Sequence, residues 1–183
     1  MSTIGDVAII MGAPRAGKAT QASALANRIG ACHISSGDLM RKQGSPEMVK
    51  IMSEGGLVPE SYFRELMEAA IREVPLGQPI VLEGVTKKPG EVPWLLELLW
   101  HLGRRVRCVI VLEIDLETLL QRNEDRGRDD DDDAVQTERW ERWEQETRLS
   151  VEAYRERFLP MIEIDGRQPP KAIKAKINAA LGI

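Results

Sequence analysis

The chain has 183 residues and a formal net charge of -4, with 43% hydrophobic and 30% charged residues. This length suffices for one domain with a sizeable core, and the composition is that of an ordinary globular protein. The negative charge excludes a general attraction to nucleic acid or anionic membranes, so any anion site must be built locally. The two cysteines, Cys32 and Cys108, lie far apart and there are only two histidines, so the sequence does not predict a zinc site. The first residues contain no signal-like apolar run and no stretch reaches transmembrane length, so we expect a cytoplasmic protein.

Short apolar runs alternate with helical patterns along the chain. Four runs predict buried parallel strands at residues 7–11, 31–34, 79–82 and 106–112, and a weaker fifth run covers 161–164. The helical patterns between them predict an α/β fold with helices on both faces of the sheet. Because parallel strands are joined by right-handed crossovers, the loops that follow the strands collect at one edge of the sheet. We therefore expect functional residues directly after the strands.

The first such loop runs from Gly12 to Thr20 and leads into a helix predicted at residues 19–29. Gly12 and Gly17 permit backbone angles that turn successive N–H groups toward phosphate oxygens. Lys18 would reach the terminal phosphates, and the helix N-terminus adds its positive dipole end. Ala19 stands where a Mg²⁺-binding hydroxyl usually follows the lysine, and Thr20 comes one residue later. A chance glycine-rich turn is the alternative, but the strand before the loop and the helix after it favour nucleotide phosphate binding.

Polar residues also follow the second and third predicted strands. Ser35 or Ser36 can cap a helix that starts near Asp38, and a hydroxyl followed by Arg41 also suits a second phosphate or a sugar. Glu83 ends the third strand, where a carboxylate beside a phosphate loop can hold the water shell of Mg²⁺; a solvated strand-end glutamate is the alternative. A basic turn at residues 86–90 continues the same edge.

The C-terminal half carries arginines around a run of five aspartates at residues 129–133. A solvated acidic loop is the default interpretation of that run. Arginine, however, is the residue suited to bidentate phosphate contacts, and Arg128 and Arg139 could meet across a loop–helix junction, oriented by Asp130 and Asp131. Helices are predicted at residues 116–126 and about 134–158. We expect the tryptophans to be packing residues; they are Trp94, Trp100, Trp140 and Trp143.

With these motifs in order along nearly its whole length, the chain resembles the adenylate kinase family of nucleoside monophosphate kinases. The resemblance rests on five features: the loop Gly12–Thr20, residues 35–38 with Arg41, residues 56–59, Glu83-Gly84, and the eleven-residue step from Arg128 to Arg139. It implies the P-loop kinase fold, a three-layer α/β/α arrangement with a five-stranded parallel sheet. It also implies a core of residues 1–35, 74–121 and 140–183, a helical acceptor-binding insertion at about 36–73, and a short lid at about 122–139.

The resemblance implies phosphoryl transfer from Mg-ATP to AMP, with ATP and Mg²⁺ as cofactors and small-molecule nucleotides as the partners of a monomer. The residues that it assigns to ATP are Gly12, Ala13, Arg15, Ala16, Gly17, Lys18, Ala19, Thr20 and Arg122. Those assigned to the acceptor are Ser36, Arg41, Leu57, Val58, Glu83, Gly84, Lys87, Glu91, Arg128 and Arg139. Thr20 would serve Mg²⁺ directly and Glu83 through water. The catalytic residues would be Lys18, Lys87, Arg122, Arg128 and Arg139.

Three departures from the family pattern lie on the phosphate loop or near the acceptor. Lys87 replaces a phosphate-clamping arginine, Glu91 replaces a glutamine that reads adenine, and Arg15 replaces a small residue, usually glycine. They keep other hypotheses open. One is a kinase for a different monophosphate, or for a small hydroxyl-bearing metabolite with Asp38 or Glu91 as general base. Another is a nucleotide-binding protein with little turnover.

Overall fold

The computed structural model describes residues 6–122 and 133–183. Arg128 and the predicted acidic pair, Asp130 and Asp131, lie outside these residues. The described strands are β1 (Asp6–Gly12), β2 (Cys32–Ser35), β3 (Ile80–Glu83), β4 (Arg105–Glu113) and β5 (Met161–Asp165). They form one sheet in the order β2-β3-β1-β4-β5, and each neighbouring pair is parallel. The predicted α/β class and five-stranded parallel sheet are confirmed.

Nine α-helices surround the sheet in the described part of the chain. They are α1 (Lys18–Ile29), α2 (Ser36–Gln43), α3 (Pro46–Ser53), α4 (Glu60–Arg72), α5 (Glu91–His101), α6 (Leu116–Gln121), α7 (Asp133–Arg142), α8 (Arg148–Arg155) and α9 (Pro170–Leu181). Helices α2, α3 and α4 all lie between β2 and β3. No described helix is long and apolar enough to cross a membrane.

The helix boundaries follow from local chemistry. Ser35 caps α2 by accepting a hydrogen bond from the Asp38 N–H, so this helix begins at Ser36 rather than near Asp38. Ser45 caps α3, and Pro46 occupies its first turn, where a missing N–H costs nothing. The single long helix predicted at about 134–158 is wrong in one respect, because a π-helical turn at Trp143–Thr147 separates α7 from α8. The helical segment also ends earlier, at Arg155.

The core lies on both faces of the sheet, because β1, β3 and most of β4 are buried. This burial explains why their sequences are continuous apolar runs rather than alternating patterns. Trp143 is buried, and Trp94 and Trp140 pack against the core. The expectation for Trp100 is wrong: its side chain is 65% exposed, with the Arg105 guanidinium over its ring.

Candidate active site

The phosphate loop follows β1, the central strand, and its backbone is shaped by close packing. Gly12 has φ of 148°, and a Cβ there would lie 2.5 Å from the Leu112 carbonyl oxygen, so no other residue fits. Gly17, in the left-handed region, leads directly into α1. Lys18 Nζ donates to the carbonyl oxygens of Gly12 and Ala13, at 2.9 and 2.7 Å, and so folds back over the loop. The ammonium group therefore lies at the open side of the loop, where a phosphate would be bound.

Arg15 occupies the loop in a left-handed conformation, with φ of 62°. This backbone geometry explains why glycine suits the position, since a side chain there costs about 1 kcal/mol. Arg15 exchanges hydrogen bonds with Arg122. Each guanidinium donates to the other residue's carbonyl oxygen at 3.1 Å, and Arg122 also donates to the Gly166 carbonyl. The two arginines join the phosphate loop to the chain just after α6.

A first cleft, called the donor cleft here, opens beside this loop. It is lined by Arg15, Gly17, Lys18, Ala19, Thr20, Ser35, Asp38, Arg41, Glu83 and Arg122. Thr20 and Glu83 both line this cleft, and a hydroxyl and a carboxylate supply the hard oxygen ligands that Mg²⁺ prefers. Two such groups suit an ion that takes its other ligands from water and phosphate. These residues therefore fit the magnesium ion that the sequence predicts.

Glu83 is almost fully buried at the end of β3. Burial by itself would raise the pKa of its carboxyl group, but a hydrogen bond with His33 and the charge of Lys18 outweigh burial and lower the pKa below its usual value. His33 Nε2 lies 3.3 Å from Glu83 Oε2 across the β2–β3 pair. Glu83 is therefore ionised at neutral pH, and the positive charge of Lys18 favours this ionised form.

A second cleft, called the acceptor cleft here, adjoins the first. Among the predicted residues it is lined by Gly12, Lys18, Ser36, Arg41, Leu57, Glu83, Gly84, Lys87 and Arg139. The Ser36 hydroxyl donates to the Gly84 carbonyl at 2.7 Å, which fixes α2 against the loop after β3. Arg41 pairs with Asp38 one helical turn earlier, at 2.5 Å. The cleft thus gathers Arg41, Lys87 and Arg139 from three separate elements.

The acceptor cleft is also lined by residues that the sequence reasoning missed, among them Met52, Gly55, Arg142, Trp143 and Thr147. Arg139 donates to the Met52 carbonyl at 2.7 Å, and Arg142 donates to the Gly55 carbonyl. A signal for Arg142 existed, because it follows Arg139 by three positions on a predicted helix and so shares its face. Trp143 and Thr147 reach the cleft through the π-helical turn, which no sequence pattern indicated.

Lys87 and Glu91 border a small side pocket together with Leu57, Val58 and Phe63. Burial lowers the pKa of the Lys87 ammonium, and the charges of Arg139, Arg142 and Arg41 lower it further. Burial raises the pKa of Glu91, whose carboxylate accepts a hydrogen bond from the Lys88 N–H at 3.2 Å. Because Leu57 and Lys87 also line the acceptor cleft, the side pocket is an extension of it.

The structure brings most of the predicted site residues together. Ala13 and Ala16 are the exceptions within the loop, since their side chains are buried beneath it. Arg128 lies outside the described residues. Four residues, Lys18, Ser35, Arg41 and Glu83, line both clefts. A phosphate loop after the central strand of a parallel sheet, with a second cationic cleft adjoining it, defines a P-loop α/β protein built to hold two anions side by side.

Comparison with known proteins identifies the family. The adenylate kinase family model matches residues 10–158. An adenylate kinase from Thermus thermophilus is 35% identical over 98% of this chain and 99% of its own length. Another from Hyphomonas neptunium is 36% identical over 94% of this chain and 96% of its own. A third, from Leifsonia xyli subsp. xyli, is 34% identical over 94% of this chain and 92% of its own length. The chain belongs to the adenylate kinase family.

Proposed function

We propose that this chain catalyses the reversible transfer of the γ-phosphoryl group of Mg-ATP to AMP, giving two molecules of ADP. The observation that carries the proposal is the junction of the two clefts. Lys18 and Glu83 line both of them, so a phosphate in one cleft would lie beside a phosphate in the other. Membership of the adenylate kinase family supports the same reaction.

The donor cleft would hold ATP. The loop amides and Lys18 bind the β- and γ-phosphates, and the charge at the N-terminus of α1 adds to this attraction. Arg15 and Arg122 lie along the same cleft and extend the positive wall toward the rest of the nucleotide. Thr20 and Glu83, which both line this cleft, would hold Mg²⁺, Thr20 directly and Glu83 through water. When bound, the ion neutralises charge on the phosphates that develops during transfer.

The acceptor cleft would hold AMP. Arg41 and Lys87 align its phosphate, while Arg139 and Arg128 neutralise charge on the moving phosphoryl group. Leu57, Val58 and Ser36 border the nucleoside, and Gly84 lets the loop after β3 approach it closely. The reaction needs no general base, because the acceptor phosphate is already an anion. Positioning and charge neutralisation supply most of the acceleration in such a transfer.

A second candidate, transfer to a different nucleoside monophosphate, is favoured by the chemistry of Glu91. An ionised carboxylate only accepts hydrogen bonds, so it cannot donate to a ring nitrogen of adenine. It could accept two hydrogen bonds from guanine, whose N1–H and exocyclic amine are both donors. The identity of the acceptor base therefore has to be tested by comparing different nucleoside monophosphates as acceptors.

A coupled assay of ADP formation tests both candidates. Purified protein with Mg-ATP is offered AMP, CMP, UMP, GMP and dTMP in turn. Lys18→Ala removes the phosphate-loop ammonium, and Lys174→Ala, an exposed lysine on α9, is the matched control. We expect turnover with AMP that Lys18→Ala abolishes and Lys174→Ala retains. Turnover confined to another monophosphate would support the second candidate. No turnover with any acceptor, while ATP still binds, would refute both and favour a binding protein.

We further propose that the chain acts as a monomer in the cytoplasm. Light scattering with size-exclusion chromatography measures the molar mass directly. A stable dimer at the assay concentration would contradict the monomer proposal without affecting the reaction.

A further inference from the structure

Arg142 is a cation of the acceptor cleft that no family motif assigns. It lies at the end of α7 on the same face as Arg139, and the π-helical turn begins at the next residue. One guanidinium nitrogen donates to the Gly55 carbonyl, and another pairs with Glu138 at 2.6 Å. A guanidinium has five N–H donors, so three remain after these two bonds. The side chain is 20% exposed and therefore largely removed from solvent.

The acceptor cleft concentrates more positive charge than its own carboxylates offset. Arg41, Arg139 and Arg142 all lie close enough to Lys87 to lower its pKa, and the charge of Glu91 acts in the opposite direction. Arg41 and Arg142 each pair with an acidic residue on their own helix, Asp38 and Glu138. Such local pairs at the surface contribute little to stability and are readily exchanged for a stronger anion. The cleft is lined by five cations and one carboxylate, Glu83; the cations are Lys18, Arg41, Lys87, Arg139 and Arg142. This excess of positive charge suits a dianionic phosphate.

Lys87 cannot make the paired contacts to phosphate oxygens that an arginine at this position could make. A phosphate monoester presents several oxygens at once, which a planar guanidinium can contact in pairs, whereas an ammonium acts as a single point charge. Resting on the function proposed above, we infer that Arg142 binds the phosphate of the acceptor nucleotide and supplies the guanidinium contact that Lys87 cannot make. Arg142 is thus a further substrate-binding residue. Lys87 and Arg142 together bind the phosphate that a single arginine would bind at position 87.

A purely structural role for Arg142 makes different predictions. Its bond to Gly55 fastens α7 to the turn after α3, so its loss could simply loosen that contact. Loosening would lower thermal stability and weaken binding of the nucleoside as much as binding of the phosphate. The effect of losing Arg142 would then not be repaired by a change at position 87, because the hydrogen bonds of Arg142 go to Gly55 and Glu138 and not to Lys87. Phosphate binding instead couples Arg142 to Lys87.

The first test compares Arg142→Met with Arg72→Met, an exposed arginine on α4 that also pairs with a glutamate four positions earlier. We expect Arg142→Met to raise the KM for AMP about tenfold, since one charge-assisted hydrogen bond is lost, and to leave the KM for ATP unchanged. Arg72→Met leaves both unchanged. Adding Lys87→Arg to Arg142→Met restores most of the AMP affinity. Equal KM values for AMP in the two single variants, or failure of Lys87→Arg to rescue, would overturn the inference.

The second test uses the milder variant Arg142→Lys, which keeps the charge and the aliphatic stem, and measures binding calorimetrically. AMP and adenosine share the base and sugar and differ only in the phosphate. We expect Arg142→Lys to weaken AMP binding several-fold and to leave adenosine binding unchanged. Equal weakening of both ligands would assign Arg142 to the structural role and overturn the inference. The proposed function is judged separately, because it requires only that the unmodified chain converts ATP and AMP to ADP.

Discussion

Glu91→Gln tests whether residue 91 reads the acceptor base. The substitution is isosteric, and Glu91 is only 7% exposed, so packing is preserved while the charge and one acceptor are exchanged for an amide donor. The hydrogen-bonding edge of adenine offers one donor, the exocyclic amine, and one acceptor, a ring nitrogen. An ionised Glu91 pairs with the amine alone and leaves the ring nitrogen unsatisfied. An amide can pair with both.

The expected gain follows from the cost of that unsatisfied group. A buried polar group without a partner costs about 1–3 kcal/mol, which corresponds to roughly 5- to 150-fold in affinity. We expect Glu91→Gln to raise kcat/KM for AMP about tenfold at pH 8 and to lower it for GMP, because guanine presents two donors. Glu97→Gln, an exposed residue on the same helix, is the control.

The gain in kcat/KM that Glu91→Gln gives with AMP should depend on pH. Burial raises the pKa of Glu91, so the carboxyl group takes up a proton as the pH falls through that raised pKa. A protonated carboxyl group has one donor and one acceptor, like an amide. The advantage of Glu91→Gln with AMP should therefore shrink toward acid pH. If kcat/KM for AMP and for GMP are unchanged by Glu91→Gln across the pH range, residue 91 does not face the base and the reasoning is refuted.

Three further substitutions test the energetics of the site and its support, each by thermal unfolding. Lys87→Met removes a partly buried cation that three arginines repel, so we expect the Tm without ligand to rise by about 2–4 °C. The further rise in Tm that AMP causes should become smaller. Lys88→Met, at the exposed neighbouring residue, should leave both quantities unchanged. Phe158→Gly relieves a left-handed residue with φ of 56° whose side chain is 95% exposed, so we expect a similar rise of about 2–4 °C. Thr86→Pro forces φ to about -65° where the backbone has +55°, and it removes the hydroxyl bonded to Tyr154, so we expect a fall of about 6 °C or more.

Each of these expectations has a contrary outcome. A lower Tm for Lys87→Met would mean that the ammonium is stabilised by contacts other than the surrounding charges. An unchanged Tm for Phe158→Gly would mean that the flexibility of glycine in the unfolded chain offsets the relief. A normal Tm for Thr86→Pro would mean that the loop after β3 adopts another conformation at no cost.

Much of the site could be predicted from the sequence because its chemistry is local. The phosphate loop depends on two glycines, a lysine and the start of α1, which are all within a few residues of one another. Glu83 and the serines before α2 could be placed at the same edge, since the topology of a parallel sheet brings strand ends together. Lys87 and Glu91 were recognised as departures from a pattern, and the structure places both beside the acceptor cleft.

The remaining features depend on contacts between distant parts of the chain. The exchange between Arg15 and Arg122 joins residues 107 positions apart, and the bonds from α7 to Met52 and Gly55 span 87 positions. No local pattern encodes such distances. Trp100 illustrates the same limit: α5 turns Leu95 and Leu99 toward the sheet, and a residue one position further lies about 100° around the helix, facing solvent.

The sequence by itself determined the class of fold, the position of the phosphate loop and the family, because strand pattern, glycine spacing and motif order are properties of the chain. Only the tertiary structure decided which positively charged side chains lie together in the acceptor cleft. It turned Arg142 into the acceptor cleft, surrounded Lys87 with three arginines and buried Glu91 beside it. The physical reason is that charge and burial are set by what surrounds a group in space, and that is fixed only when the helices pack.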